Sequence, residues 1–204
     1  MKADKIIFAT GNAGKMKEIR MIMADLNIEV QSMKEADIQA EIVEDGETFE
    51  ENAKIKAQAI AQELRARGER AIVLADDSGL EIDYLNKEPG VYSARYMGED
   101  TSYSVKTASL IQRLEGVPDE ERTARVVCVI AAVFPDGSVF ETRATIEGRI
   151  GYEERGENGF GYDPIFYLPE YGMYSAELAP EEKNRISHRG KALEEMKKVI
   201  LTQL

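Results

Sequence analysis

The sequence predicts an α/β fold, and three observations carry that reading. Ile6-Ile7-Phe8-Ala9 reads as a strand that runs through the small-residue turn Thr10-Gly11-Asn12-Ala13-Gly14-Lys15 into a helix with Ile19, Ile22, Met23 and Leu26 on one face. Ala71-Ile72-Val73-Leu74-Ala75 is short and continuously apolar, as a strand buried on both faces is. The β-rich runs Arg125 to Phe134 and Val139 to Arg149 are joined by Pro135-Asp136-Gly137, the pattern of a hairpin.

The remaining elements follow in order. Ile28-Glu29-Val30 reads as a second strand. Thr48, with Glu51 three residues later, makes a capping box for a helix whose face is Phe49, Ala53, Ala57, Ile60 and Leu64, with Gly68 as its stop. The apolar run from Ala71 ends in Asp76-Asp77-Ser78-Gly79, after which Leu80, Ile82 and Tyr84 alternate with Glu81 and Asp83, so the strand is expected to continue with one wetter face. Asn86 to Gly90 is a turn, and Val91 to Tyr96 leads to a helix capped by Thr101 that ends near Gly116. Gly156 to Pro164 is a glycine and aromatic loop that leads into the strand Ile165-Phe166-Tyr167. Ser187-His188-Arg189-Gly190 precedes a last helix with Leu193, Met196, Val199 and Ile200 inward and Ser187 as a candidate cap.

Size and charge exclude several classes. The chain has 204 residues and no Pro/Ser/Gly linker, repeat or low-complexity tract, so residues 1–204 are read as one domain. Its formal charge is -12 with no basic run, which argues against nonspecific attraction to nucleic acid or anionic lipid, since both need a positive face. Val126 to Phe134 is the longest apolar stretch and is too short to span a bilayer. The apolar segment after Lys2-Ala3-Asp4-Lys5 is too short for a signal peptide, so a cytoplasmic protein is expected. The single cysteine, Cys128, reads as a buried thiol with no disulfide open to it within the chain.

Four places carry chemistry. Two adjacent carboxylates, Asp76 and Asp77, at the rim of a core need a cation, a donor network or a protonation shift, and magnesium would satisfy them; an Asx-type turn at Gly79 is the alternative. The turn from Thr10 to Lys15 presents backbone N–H groups at a helix start and suits a phosphate, although Gly11 and Gly14 lack Walker spacing and an ordinary tight turn is the other reading. Phe160 and Tyr162 offer flat faces for a base or close over the core. Lys183, the only histidine His188, and Arg189 concentrate donors in an otherwise acidic chain, while a lone histidine also serves as a capping or surface residue. The carboxylates at 44, 45, 47, 50 and 51 crowd a helix start, where the macrodipole accounts for most of them, and Glu44, ahead of the cap, is the least explained.

Taken together, Thr10-Gly11-Asn12-Ala13-Gly14-Lys15, Ala75-Asp76-Asp77-Ser78-Gly79-Leu80, Pro89-Gly90-Val91-Tyr92-Ser93-Ala94-Arg95-Tyr96, Phe160-Gly161-Tyr162-Asp163-Pro164 and Ser187-His188-Arg189-Gly190 closely resemble, in that order, the inosine triphosphate pyrophosphatase (Ham1-like) family. The resemblance implies a long, twisted mixed sheet flanked by helices in two lobes, with the active site in the cleft between them. It implies magnesium-dependent hydrolysis of ITP, dITP and XTP to the monophosphate and pyrophosphate, by a homodimer. By the family's pattern Asp77 is the general base and a metal contact, Glu44 a second metal contact and Ser78 a substrate contact. Thr10, Gly11, Asn12, Ala13, Gly14 and Lys15 hold phosphates, and Phe160, Gly161, Tyr162 and Asp163 with Lys183, His188 and Arg189 hold the base. The competing readings are a pyrimidine-type nucleotide pyrophosphatase and a non-catalytic nucleotide sensor.

Overall fold

A computed structural model of the chain describes residue 3 and residues 5–204. Lys2 and Asp4, part of the segment weighed as a signal peptide, lie outside the described residues. The elements are β1 (Lys5–Phe8), α1 (Ala13–Met23), β2 (Glu29–Ser32), α2 (Phe49–Ala66), β3 (Ala71–Ile82), α3 (Tyr103–Arg113), β4 (Thr123–Val133), β5 (Val139–Ile150), β6 (Phe166–Leu168), β7 (Met173–Tyr174), α4 (Pro180–Ile186) and α5 (His188–Gln203). Among the described residues the seven strands form one sheet in the order β2-β1-β3-β4-β5-β6-β7. β1 is parallel to both neighbours, with Ile7 opposite Gln31 and Val73, whereas β6 is antiparallel to β5 and β7. The sheet is therefore mixed, as an α/β fold of this kind requires.

The chain divides into two compact units, the first made of Met1–Asp77, Cys128–Ala144 and Arg189–Leu204, the second of Ser78–Val127 and Thr145–His188. In the first, Ile6 and Phe8 of β1, Ile72 and Leu74 of β3 and Cys128 and Ile130 of β4 pack with Met16, Ile19 and Met23 of α1 and Leu193, Met196 and Ile200 of α5. Ile19 is wholly buried, so cutting it to alanine would cost about 2–5 kcal/mol. In the second, Leu80 and Ile82, Leu110 and Leu114, Ile150, Ile165 and Phe166 form the core. Arg122 is buried there and fully answered. Its guanidinium donates to the carbonyls of Ile150, Leu114 and Gly151 at 2.8, 2.7 and 2.7 Å and lies 4.1 Å from the Tyr152 ring centroid. A buried charge on this scale is tolerated only with such partners.

Several boundaries move from their sequence positions. The Asx-turn reading at Asp76 to Gly79 does not hold, because all four residues lie inside β3, which runs unbroken to Ile82; Tyr84 then sits half exposed in a 3₁₀ turn. Leu80 and Ile82 are buried and Glu81 is not, as the alternation predicts. β2 begins one residue later than read and extends to Ser32. Thr48 caps α2 by accepting from the Glu51 N–H, but the Glu51 carboxylate takes the N–H of Glu47, so the box is not reciprocal. α3 is capped by Ser102, which accepts from Val105, while the Thr101 hydroxyl donates to the Met97 carbonyl. The strand expected at Ile165 starts at Phe166, after a 3₁₀ turn at Asp163–Ile165. A short helix that the sequence reading does not include, Pro180–Ile186, precedes the last one.

Candidate active site

β3 places the two aspartates. Successive side chains of a strand point to opposite faces, so Asp76 and Asp77 meet different neighbours. Asp76 is buried and answered by cations: Lys15 Nζ lies 2.8 Å and Arg189 Nε 3.4 Å from its Oδ2. Burial alone would raise its pKa, but Lys15, Arg189 and Lys56 outweigh that and hold the carboxyl far below the usual carboxylate range. Asp76 is thus held in its ionised form.

Asp77 is treated in the opposite way. Burial, reinforced by the charges of Glu44 and Asp76, raises its pKa to about 7 against the pull of Lys56 and a hydrogen bond from Asn52. Asn52, buried on α2, accepts the Gly46 N–H at 2.9 Å through Oδ1, which turns its amide donor toward Asp77. A Cβ on Gly46 would lie 2.7 Å from that oxygen and 2.8 Å from Glu51 Cβ, so only glycine permits this approach. One turn on, Lys56 pairs with Glu44 and donates to the Asp76 carbonyl at 2.9 Å. Burial lowers the Lys56 pKa, but Asp76, Glu44 and Asp77 raise it more. Glu44, unexplained by the helix start, is therefore drawn to the Asp77 side by Lys56.

The turn before α1 corrects one expectation. Its backbone donors are largely taken by its own side chains, as in an ordinary tight turn: Asn12 Oδ1 accepts from Gly14 and Lys15 at 2.9 and 3.1 Å, and Thr10 Oγ1 accepts from Asn12 at 3.1 Å. What the turn offers an anion is the exposed Gly11 to Gly14 stretch and the Lys15 ammonium, the latter paired with Asp76.

In the second unit Asp163 organises the glycine loop. It accepts from the Phe160 N–H at 2.8 Å and Ser175 Oγ at 3.0 Å and pairs with Lys183. Lys183 Nζ lies 4.9 Å from the centroid of the Phe160 ring, which is exposed. Gly159 has φ +77°, and a Cβ there would fall 2.2 Å from Asp163 Oδ2, so the loop closes on this pair only with glycine. The two aromatics part company. Phe160 is exposed with the Lys183 ammonium over its ring, whereas Tyr162 donates its hydroxyl to the Ser93 carbonyl at 2.6 Å and packs edge-on against Tyr103. Gly161 adjoins them, Ser78 follows Asp77 in β3 half-buried, and His188 begins α5 buried.

Among the predicted residues, the first unit gathers Thr10 to Lys15, Glu44, Asp76, Asp77 and Arg189, and the second holds Ser78, Phe160 to Asp163, Lys183 and His188. Arg189, expected beside Lys183 as a donor to a base, has two of its nitrogens on Asp76 and on Glu18, the latter at 2.9 Å. Asn52, Lys56 and Glu18 escaped the sequence reading. Asn52 and Lys56 carry a legible signal, since they stand one turn apart among Phe49, Ala53 and Ile60 on the apolar side of their helix.

The Ham1 family model matches residues 6–199. The chain belongs to the Ham1 family. Similar proteins of this family include a dITP/XTP pyrophosphatase of Clostridium perfringens, 48% identical over 194 residues and covering 95% of both chains. Another is the dITP/XTP pyrophosphatase of Geobacillus kaustophilus, 48% identical over 189 residues, 93% of this chain and 90% of that one. A structure of a HAM1 protein from Coxiella burnetii matches this Ham1 chain with a TM-score of 0.87 at 41% identity, covering 98% and 99% of the two chains. The five sequence motifs thus lead to the same family as the whole chain does. Among the described residues, no helix is long and apolar enough to cross a membrane.

Proposed function

We propose that this Ham1 protein hydrolyses purine nucleoside triphosphates with non-standard bases, dITP, ITP and XTP, to the monophosphate and pyrophosphate. The observation that carries the reading is Asp77, a carboxylate with its pKa raised to about 7 beside Glu44, in a chain whose relatives are named for this reaction. A general base works best with a pKa near the working pH, a condition Asp77 meets in the metal-free protein. It takes a proton from the attacking water as the water oxygen bonds to the α-phosphorus and the bond from that phosphorus to the leaving pyrophosphate breaks. Asn52 and Lys56 hold Asp77 and Glu44 in place, and Lys15, aimed by Asp76, meets the phosphates along with Thr10 to Gly14.

The donor set fits magnesium. Glu44 and Asp77 are hard oxygen donors whose mutual repulsion a cation relieves, and among the described residues no cluster of three or more acidic, cysteine or histidine side chains forms a cage of its own. Magnesium is usually held by one or two carboxylates plus phosphate oxygens and water, so two suffice. When bound it neutralises charge on the phosphates and on the departing oxygen.

The base falls to Phe160, Gly161, Tyr162 and Asp163 with Lys183, His188 and Arg189, and Ser78 is a further substrate contact. Phe160 supplies a ring to stack on, and the donors meet a 6-oxo group, which adenine replaces with another donor. ITP and XTP should therefore rank well above ATP in kcat/KM. We assign the enzyme to the cytoplasmic nucleotide pool as a homodimer. Phosphorus NMR of the products of dITP, ITP and XTP with magnesium tests the reaction: pyrophosphate and monophosphate are expected, and orthophosphate with diphosphate would identify a different phosphatase.

A further inference from the structure

The ion pairs behind Lys15 extend past the contact that aims it. Lys15 Nζ and Arg189 Nε converge on the same oxygen, Asp76 Oδ2, at 2.8 and 3.4 Å, and Arg189 Nη1 continues to Glu18 Oε2 at 2.9 Å. Lys15 and Glu18 are three residues apart on α1, neighbours on the helix surface, so one helix carries both ends of the chain Lys15, Asp76, Arg189, Glu18. Two cations and two anions cancel. The side chains of Asp76, Arg189 and Glu18 are 1, 3 and 11% exposed, whereas Lys15 is 21% exposed.

Two cations sharing one carboxylate oxygen repel each other and compete for it. Glu18 relieves the competition by giving Arg189 a carboxylate of its own. If the Glu18 charge is lost, the buried guanidinium has one carboxylate fewer and draws more on Asp76, and Lys15, which can reach water, is the cation that gives way. We propose that Glu18 is a positioning residue for substrate binding: by neutralising and orienting Arg189 it leaves the Asp76 carboxylate to Lys15. The inference rests on the reading of Lys15 and Arg189 as substrate contacts and adds Glu18 to that machinery.

The test is a double-mutant cycle on dITP hydrolysis. Glu18→Gln keeps the size and one acceptor but removes the charge, so KM should rise about tenfold with kcat within about twofold, the pattern of lost binding. A merely structural lesion would lower the active fraction, reducing kcat with KM unchanged. In the Arg189→Ala background Glu18→Gln should change KM by less than about twofold, because the group it acts through is gone. Glu18→Asp retains the charge and should place KM between wild type and Glu18→Gln, and it serves as the probe if the glutamine variant fails to fold. An unchanged KM for Glu18→Gln, additive effects in the cycle, or a Glu18→Asp KM at or above that of the glutamine variant overturns the proposal while the functional reading stands. A wild-type protein that releases no pyrophosphate from dITP overturns both.

Discussion

The two faces of β3 treat adjacent, identical side chains in opposite ways. On one, Asp76 is buried among Lys15, Arg189 and Lys56, which hold it far below the usual carboxylate range; on the other, Asp77 shares its surroundings with Glu44 and titrates at about 7. Strand alternation separates them: α1 and α5 bring Lys15 and Arg189 to Asp76, α2 brings Asn52 to Asp77, and Lys56 of α2 acts on both. The difference teaches that a carboxylate's role is set by the sign and number of the charges facing it. Burial acts in the same direction on both.

The comparison breaks most visibly if the ionised member is neutralised. Asp76→Asn leaves Arg189 buried with one carboxylate fewer and Lys15 without its anchor, and removing one side of a buried ion pair costs about 3–5 kcal/mol. A melting temperature lower by roughly 6–20 °C is expected by thermal denaturation, at roughly 2–4 °C per kcal/mol for a chain this size. The contribution of Asp76 is fully present above pH 3.8 and is lost as pH falls toward its depressed folded value. A loss under ~1 kcal/mol would mean that the network is not holding the fold.

Asp77→Asn should do the reverse, sparing the fold and removing the base. Turnover of dITP should fall by at least ~10²-fold, the usual scale for a lost general base. Hydrolysis at the wild-type rate would sink the assignment of Asp77 as the base.

How much of this was legible follows from the same contrast. The apolar run to Ala75 and the alternation after Gly79 were enough to place both aspartates in one strand, because a strand's burial pattern is written in its own residues. The partners were not, since they come from distant segments: Arg189 is 113 positions from Asp76. Hence nothing local to Arg189 announced that two of its nitrogens face carboxylates. Tyr162 read as a stacking face although its hydroxyl is tied to Ser93, a contact 69 positions away that no local pattern encodes. Thr48 was legible as a cap because capping is local, whereas Thr101 and Ser102, adjacent and equally suited, differ only in which backbone turns first.

A third expectation sharpens the contrast through pH. The folded state keeps a proton on Asp77 up to about pH 7, whereas the unfolded chain releases it near 3.8, so stability falls as pH rises through that window and the cost is full above pH 7. Asp77→Asn abolishes the cost. In a magnesium-free buffer with chelator the variant should exceed wild type by about 2 kcal/mol above pH 7, roughly half the full shift because water and Lys56 moderate it. The gap should close as pH falls toward 4. A gap that is constant with pH would show that Asp77 titrates normally and that its difference from Asp76 is one of position alone.

The smallest expected effect concerns Lys15. It forms the shortest ion pair with Asp76, yet it is 21% exposed, and its loss leaves Asp76 still answered by Arg189 at 3.4 Å. Removing the anion takes a carboxylate from two cations, one of them buried, whereas removing this cation leaves Asp76 with Arg189. Lys15→Met should therefore cost about 1 kcal/mol or less, the scale of an ion pair that water can reach, and shift the melting temperature by only a few degrees. KM for dITP should rise nonetheless, because the phosphates lose a positive partner. A stability loss as large as that of Asp76→Asn would mean that Arg189 does not share the load, and the asymmetry between the buried anion and its exposed cation would have to be abandoned.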